Sequence, residues 1–436
     1  MSAVSPKESP PLGLVAPFFV TAPLGLVGAG ILLLLVGNDA FLAVNAPRLV
    51  AATHAAVLGW LTLSIMGAIY QLGPAVLGGR LFSQRWVRIQ FGIHVVSVVG
   101  FIIALQAWDV RAMAAAGAGA AVSLIIFLVI AFPAVRGPGR DSIVRTYVSV
   151  ALVFLAAAAT AGVTYLGTLE HLWFPVTQGR LSGHAHLGLL GWLGLMIMGV
   201  SYQLIPMFQV VRRGVPRFAR PVLLVTAVSA GAGGLILMTD PSMPVRAVVA
   251  VAMAAGPILW IFDVWSMLKA RSRRIVDVHT RATVVSLGFL AAAAVLGVLA
   301  AIGEPVAPGG EPARMQLAYG ICAIGGWAGT TLIGNSFKIV PFLVWNARYR
   351  ERAGFERVPL VADLVNESWT NTTLAVHAVA VATLVLGALA GQIAILHAGG
   401  LLLAMGGAGN LGVLLSVLIH RPAPHAAGTP AGQVTP

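Results

Sequence analysis

The sequence predicts an all-α membrane protein of about twelve transmembrane helices, arranged as three pseudo-symmetric four-helix repeats. Three observations carry this expectation. Charged residues make up 9% of the 436 residues and hydrophobic ones 58%, whereas a soluble domain carries about 25% charged residues. Apolar runs of the length that spans a bilayer, about 20 residues, recur about twelve times. Finally, HAAVLGWLTLSIMGAIYQLGP at 54–74 returns as HLGLLGWLGLMIMGVSYQLIP at 186–206, with 13 of 21 positions identical. A fainter third copy at 321–341 keeps Gly326, Trp327, Gly334 and Pro341.

The spans are expected near 13–36, 49–73, 89–108, 111–135, 144–168, 182–208, 219–238, 244–268, 282–302, 315–344, 371–392 and 396–419. The repeats then run over about 12–140, 141–274 and 275–421 within one polytopic domain of residues 1–421. The duplicated motif falls on the second, sixth and tenth spans. The tail 422–436 is rich in Pro, Gly and Ala and reads as disordered.

A net charge of +13 invites a nucleic-acid reading, but its distribution argues against one. Twenty-one of the 27 Lys and Arg fall in alternate loops and the termini, and five in the opposite loops. That asymmetry is a topology signal and puts both termini in the cytoplasm of a bacterial-type inner membrane. The N-terminus shows no short apolar core followed by a cleavage site. The one cysteine, Cys322, excludes an internal disulfide and reads first as a small buried hydrophobe, with a thiolate ligand as the alternative. The longest loop, 346–370, is expected to form an ordered surface segment or a short amphipathic helix.

Within the motif, Trp60, Gly67 and Pro74 are spaced by seven, as are Trp192, Gly199, Pro206 and Trp327, Gly334, Pro341. Seven residues is about two helical turns, so each set forms one stripe. The small residue admits a neighbouring helix, ahead of a proline that ends the span.

Packing alone leaves the polar residues unexplained. His54 and His186 stand at matching places in two repeats, at the outer ends of their spans, with His184 just above His186. His171 precedes the sixth span and His397 opens the twelfth. His94, His279, His377, His420 and His425 fall towards the cytoplasmic side. An imidazole in lipid needs a partner. Metal or haem iron is one class of partner, because neutral imidazole is a good ligand; a backbone carbonyl or a hydroxyl is the other. His184 and His186 point about 200° apart on a regular helix, which turns His186 to the bundle and His184 to the loop.

Tyr70-Gln71 and Tyr202-Gln203 close the inner ends of the first two copies and become Phe337-Lys338 in the third. Lys338 is the only lysine inside a span. It either snorkels to the interface or pairs, and Asp263 at a similar depth is the candidate partner.

Twelve spans, three repeated arcs and histidines at the outer ends of the second and sixth spans resemble the catalytic subunit of the haem–copper oxidase superfamily, nearest the cbb-type oxidases and nitric oxide reductases. His186…Gly199…Tyr202…Pro206, preceded by Gly183-His184, is similar to the stretch that carries a copper ligand in that family. His54 corresponds to a ligand of low-spin haem b. The resemblance implies haem b as cofactor, copper as a second one, a cytochrome c-like or quinol electron donor, a partner membrane subunit beside the lipid bilayer, and oxidoreductase chemistry if the protein is an enzyme. Read from the residues, the cofactor-binding candidates are His54, His186, His184 and His397, with His54 and His186 as metal ligands. This sequence departs from the family at the seventh and tenth spans, PVLLVTAVSAGAGGLILM and MQLAYGICAIGGWAGTTLIGNSFKIVP, which lack the expected histidines. The departure argues against an oxygen-reducing proton pump.

Two further readings stand beside electron transfer or small-diatomic handling. One is a cofactor-free transporter or channel built on Lys338, Asp263, Gln71 and Gln203; the other is a scaffold subunit that has lost its cofactors.

Overall fold

In a computed structural model the described residues are 10–42, 45–81, 83–136, 142–211, 216–272, 275–303 and 311–420. The stretch read as a disordered tail, with His425, lies outside them, as does Lys7. Among the described residues there are twelve helices long and apolar enough to cross a membrane: α1 (Leu12–Leu34), α2 (Pro47–Pro74), α3 (Gln84–Ala107), α4 (Val110–Val135), α5 (Ile143–His171), α6 (Gln178–Gln209), α7 (Ala219–Leu237), α8 (Met243–Lys269), α9 (Val278–Ile302), α10 (Ala313–Arg348), α11 (Glu367–Ala390) and α12 (Ile393–Ile419). Among the described residues the only extended pairings are two isolated bridges, so the fold is all-α. Helices satisfy every backbone group internally, which lipid demands.

Local chemistry sets many of the helix ends. Ser83, Asp109, Thr177, Asp277 and Asn366 each accept a hydrogen bond from the first turn of α3, α4, α6, α9 and α11. Gly78 and Gly391 close α2 and α11 in the left-handed conformation, which a glycine adopts without steric cost. Pro74, Pro206 and Pro341, expected to end their spans, instead lie inside α-helical stretches: Leu63–Leu77, which runs past the Pro74 bound given for α2, Leu195–Gln209 and Thr330–Arg348.

Consecutive helices pack side by side, and α12 packs on α1, so the chain closes a ring. The most buried spans are α6 (78% of its apolar stretch buried), α10 (61%) and α2 (56%), against 28–44% for the other nine. The second helix of each repeat is therefore the central one. The glycine of each stripe faces the first helix of its own repeat: Gly67 abuts Phe18, Gly199 abuts Tyr147 and Gly334 abuts Ala282, where an added methyl would collide.

The tryptophans of the stripes form a closed cycle about the axis. Trp60 lies over Gly329 of α10, and Trp327 contacts the Cβ position of Gly194 on α6. Trp192 completes the circuit by donating its indole N–H to the Thr62 hydroxyl of α2 at 3.1 Å. Each reaches the residue two places beyond the tryptophan of the next repeat, and all three are buried.

The segment 349–364 is ordered but contains turns and a single 3₁₀ turn, Val361–Leu364, in place of an amphipathic helix. The Trp345 indole N–H donates to the Pro359 carbonyl and holds it to α10.

Candidate functional site

The three central helices share a departure from α geometry. Each carries an eight-residue π-helical segment: 55–62 in α2, 187–194 in α6 and 322–329 in α10. The segments are spaced by the repeat interval and begin just after His54, His186 and Ile321. Ile321 thus stands where the first two repeats have histidine. π-Helical turns widen a helix and concentrate at functional sites.

Here they border a cavity of about 690 Å³ at the face where the even-numbered helices start, called upper below. The walls are aliphatic, with Leu26, Ala29 and Leu403 on one side and Ala250, Ala294 and Gly297 on another; Trp60 and Trp327 also line it. Arg246 and Gln316, near the starts of α8 and α10, add polar groups towards the upper face.

His54 and His186 both line this cavity. They retain accessible surface although they sit inside the bundle, and that surface faces the cavity. Their Nδ1 atoms are paired identically one turn back, His54 with the Val50 carbonyl at 2.9 Å and His186 with the Ser182 carbonyl at 2.8 Å. A carbonyl can only accept, so Nδ1 carries the proton and the Nε2 lone pair is free to accept or to ligate. Phe101 packs edge-on against the His54 ring, centroids 5.4 Å apart. His186 Nε2 accepts from the Tyr319 hydroxyl at 3.1 Å, and the two rings stack.

Several expectations are corrected. His184 does not face the loop: it also borders the cavity, but its ring packs edge-on against Tyr165 and over Gly162 of α5, with Nδ1 lacking a hydrogen-bond partner among the described residues. His397 is not at the cavity; its Nε2 donates to the Val36 carbonyl and ties α12 to the end of α1. His171 stacks on Trp173 at the end of α5. His94 and His377 lie at mid-span, as the eleventh residues of α3 and α11, not towards one side.

The polar residues of the opposite, lower half do not form one site. Lys338 pairs with Asp277, Nζ to Oδ2 2.7 Å, and not with Asp263. Asp263 accepts from the Tyr202 hydroxyl and from the Phe218 backbone N–H, each at 3.0 Å. Tyr70 donates to Gln90. Gln71 is buried, its Oε1 without a partner among the described residues. Gln203 lines a small central pocket of about 80 Å³ with Asn335 and Ser336.

Asp277, at the start of α9, is pulled two ways. Burial alone raises its pKa, but the Lys338 ammonium and the Thr280 N–H and hydroxyl outweigh that and hold it down at about 2.

The chain matches no protein-family model, and no curated protein shows significant sequence similarity to it.

The residues around His54 fit haem. A free Nε2, a proton-donating Nδ1 fixed on a carbonyl, aliphatic walls and nearby polar groups are what an axially ligated macrocycle requires. The volume lies within the roughly 300–1,000 Å³ of cofactor pockets. The residues do not fit copper held by several imidazoles. Tyr319 occupies Nε2 of His186, and among the described residues no three of His, Cys, Asp and Glu converge on one point. Sequence reasoning missed Tyr319, Gln90 and Asp277, because each owes its role to a contact between separate helices.

Proposed function

We propose that this membrane-spanning bundle is a haem-binding protein in which His54 is an axial ligand. The reading is electron transfer or small-diatomic handling on a scaffold like that of the haem–copper oxidases. The observation that carries it is the His54 imidazole, with Nδ1 pinned to Val50 and Nε2 unpaired among the described residues, at the edge of a 690 Å³ apolar cavity. Bound there, haem would supply one-electron chemistry and an iron coordination position.

The chain's own residues do the rest. The Val50 carbonyl fixes the tautomer and ring direction of His54. Arg246 and Gln316 offer a cation and an amide to the carboxylates of a macrocycle. Tyr319 and His186 hold a hydroxyl proton on a stacked pair in the same cavity. The aliphatic walls exclude water. A cytochrome c-like or quinol donor, a partner membrane subunit and termini in the cytoplasm of a bacterial-type inner membrane belong to the same proposal.

The test is optical. Protein purified with ample haem supply should show a Soret band that shifts on reduction. His54→Ala should lose it, while His171→Ala and His397→Ala should keep it. A colourless wild type, or an unchanged spectrum in His54→Ala, would reject the assignment.

A further inference from the structure

The π-helical segments decide which way the cavity residues point. Each extra residue per turn rotates everything on its N-terminal side by about 100° relative to the rest of the helix. His54 immediately precedes the segment in α2, and Tyr319 lies three residues before the segment in α10. Widening the turn also displaces carbonyls from the regular ladder. In a membrane no water is at hand to pair a carbonyl left without a partner.

An imidazole from the third helix of the repeat reaches a carbonyl of such a turn twice, at the same place. His94 Nε2 donates to the Leu58 carbonyl at 3.2 Å, and His377 Nε2 donates to the Gly325 carbonyl at 3.0 Å. Leu58 and Gly325 are each the fourth residue of their π segment. His94 and His377 are each the eleventh residue of their helix and are buried at 1% and 0% exposure.

Behind His94 runs a buried chain with one consistent proton order. The Tyr70 hydroxyl donates to Gln90 Oε1 (3.2 Å), Gln90 Nε2 to Ser123 Oγ (3.0 Å), and Ser123 Oγ to His94 Nδ1 (3.0 Å). The chain leaves Nε2 as the donor, which the Leu58 carbonyl needs. In the third repeat Gly406 holds on α12 the place of Ser123 on α4, and His377 Nδ1 has no partner among the described residues. In the second repeat the eleventh residue of α7 is Ser229, which opens a π segment of α7 itself, packed against that of α6.

We propose that His94 and His377 are positioning residues: they pin the π-helical turns of α2 and α10, and thereby aim His54 and Tyr319 into the cavity. The His54 arm rests on the haem reading; the Tyr319 arm does not.

Three measurements test this on the full-length protein in nanodiscs. The first is amide hydrogen exchange over 55–66 and 322–333. His94→Leu should speed exchange in the first stretch and His377→Leu in the second, each about tenfold. His94→Gln and His377→Gln, which keep an N–H donor, should restore it. The second is the imidazole ¹⁵N shift of His186, which reads the Tyr319 hydrogen bond without haem. It should move in His377→Leu and return in His377→Gln. The third is the Soret band and ligand-field spectrum of haem-loaded protein, altered in His94→Leu and recovered in His94→Gln.

Should a leucine variant fail to fold, Ser123→Ala tests the α2 arm by removing only the hydroxyl behind His94. Gly406→Ser tests the α10 arm by adding one behind His377, and should slow exchange there. Faster exchange with both spectra unchanged would overturn the proposal, and so would unchanged exchange. A wild type that never binds haem would reject the proposed function, while the His186 shift would still decide the positioning claim.

Discussion

At the scale of single residues, the histidines separate by what their nitrogens touch. His54 and His186 share a carbonyl partner four residues back, yet only His54 keeps Nε2 unpaired among the described residues. The sequence put them at equivalent positions; it could not show that a tyrosine from α10 would reach one of them. Lys338 is a parallel case. Its need for a partner was legible from its place in an apolar span, but the partner is Asp277 at the start of α9.

The Asp277 pair has a pH signature. Its folded-state pKa lies below the unfolded value of 3.8. Its stabilisation is therefore complete above about pH 4 and lost as pH falls through 4 towards 2. With solvent screening this is worth on the order of 1–2 kcal/mol. Lys338→Met should raise the midpoint pH of acid unfolding, followed by tryptophan fluorescence in detergent; an unchanged midpoint would dismiss the pair as a stabilising contact.

At the scale of elements, the Trp-Gly-Pro stripe was correctly legible as packing. Each stripe glycine accepts the first helix of its repeat at a distance no side chain permits. Gly199→Ala should lower the thermal midpoint by the equivalent of about 1–3 kcal/mol, the usual cost of overpacking. Gly288→Ala, on α9 with nothing within 4 Å of its added methyl, should be neutral or slightly stabilising, because alanine is the better helix former by about 1 kcal/mol. Equal effects of the two substitutions, in a thermal-shift measurement, would count against close packing as the role of the stripe. The expectation that proline ends each central span was wrong because the chain tolerates it inside the helix. In a bundle, neighbouring groups and local turn adjustments re-satisfy the freed backbone.

At the scale of the whole molecule, the tryptophan cycle stands between the upper cavity, which Trp60 and Trp327 line, and the small pocket of the lower half. Trp327→Ala should enlarge the cavity and cost about 3–5 kcal/mol, as deletion of a buried aromatic does. The same change at half-exposed Trp265 should cost far less. Thermal unfolding of the two variants makes the comparison, and similar losses would remove the cycle from any central role.

The number of spans, the threefold repeat and the place of the duplicated motif on the second helix of each repeat were determined by composition and internal similarity, since these depend on local pattern and length. What only the tertiary structure decided is direction and pairing. Face assignment from sequence assumes 3.6 residues per turn, and the π-helical segments break that period directly beside His54, His186 and Ile321. Partners such as Tyr319 for His186, Asp277 for Lys338 and Leu58 for His94 come from other helices, brought near by the closing of the ring, and no local spacing records them.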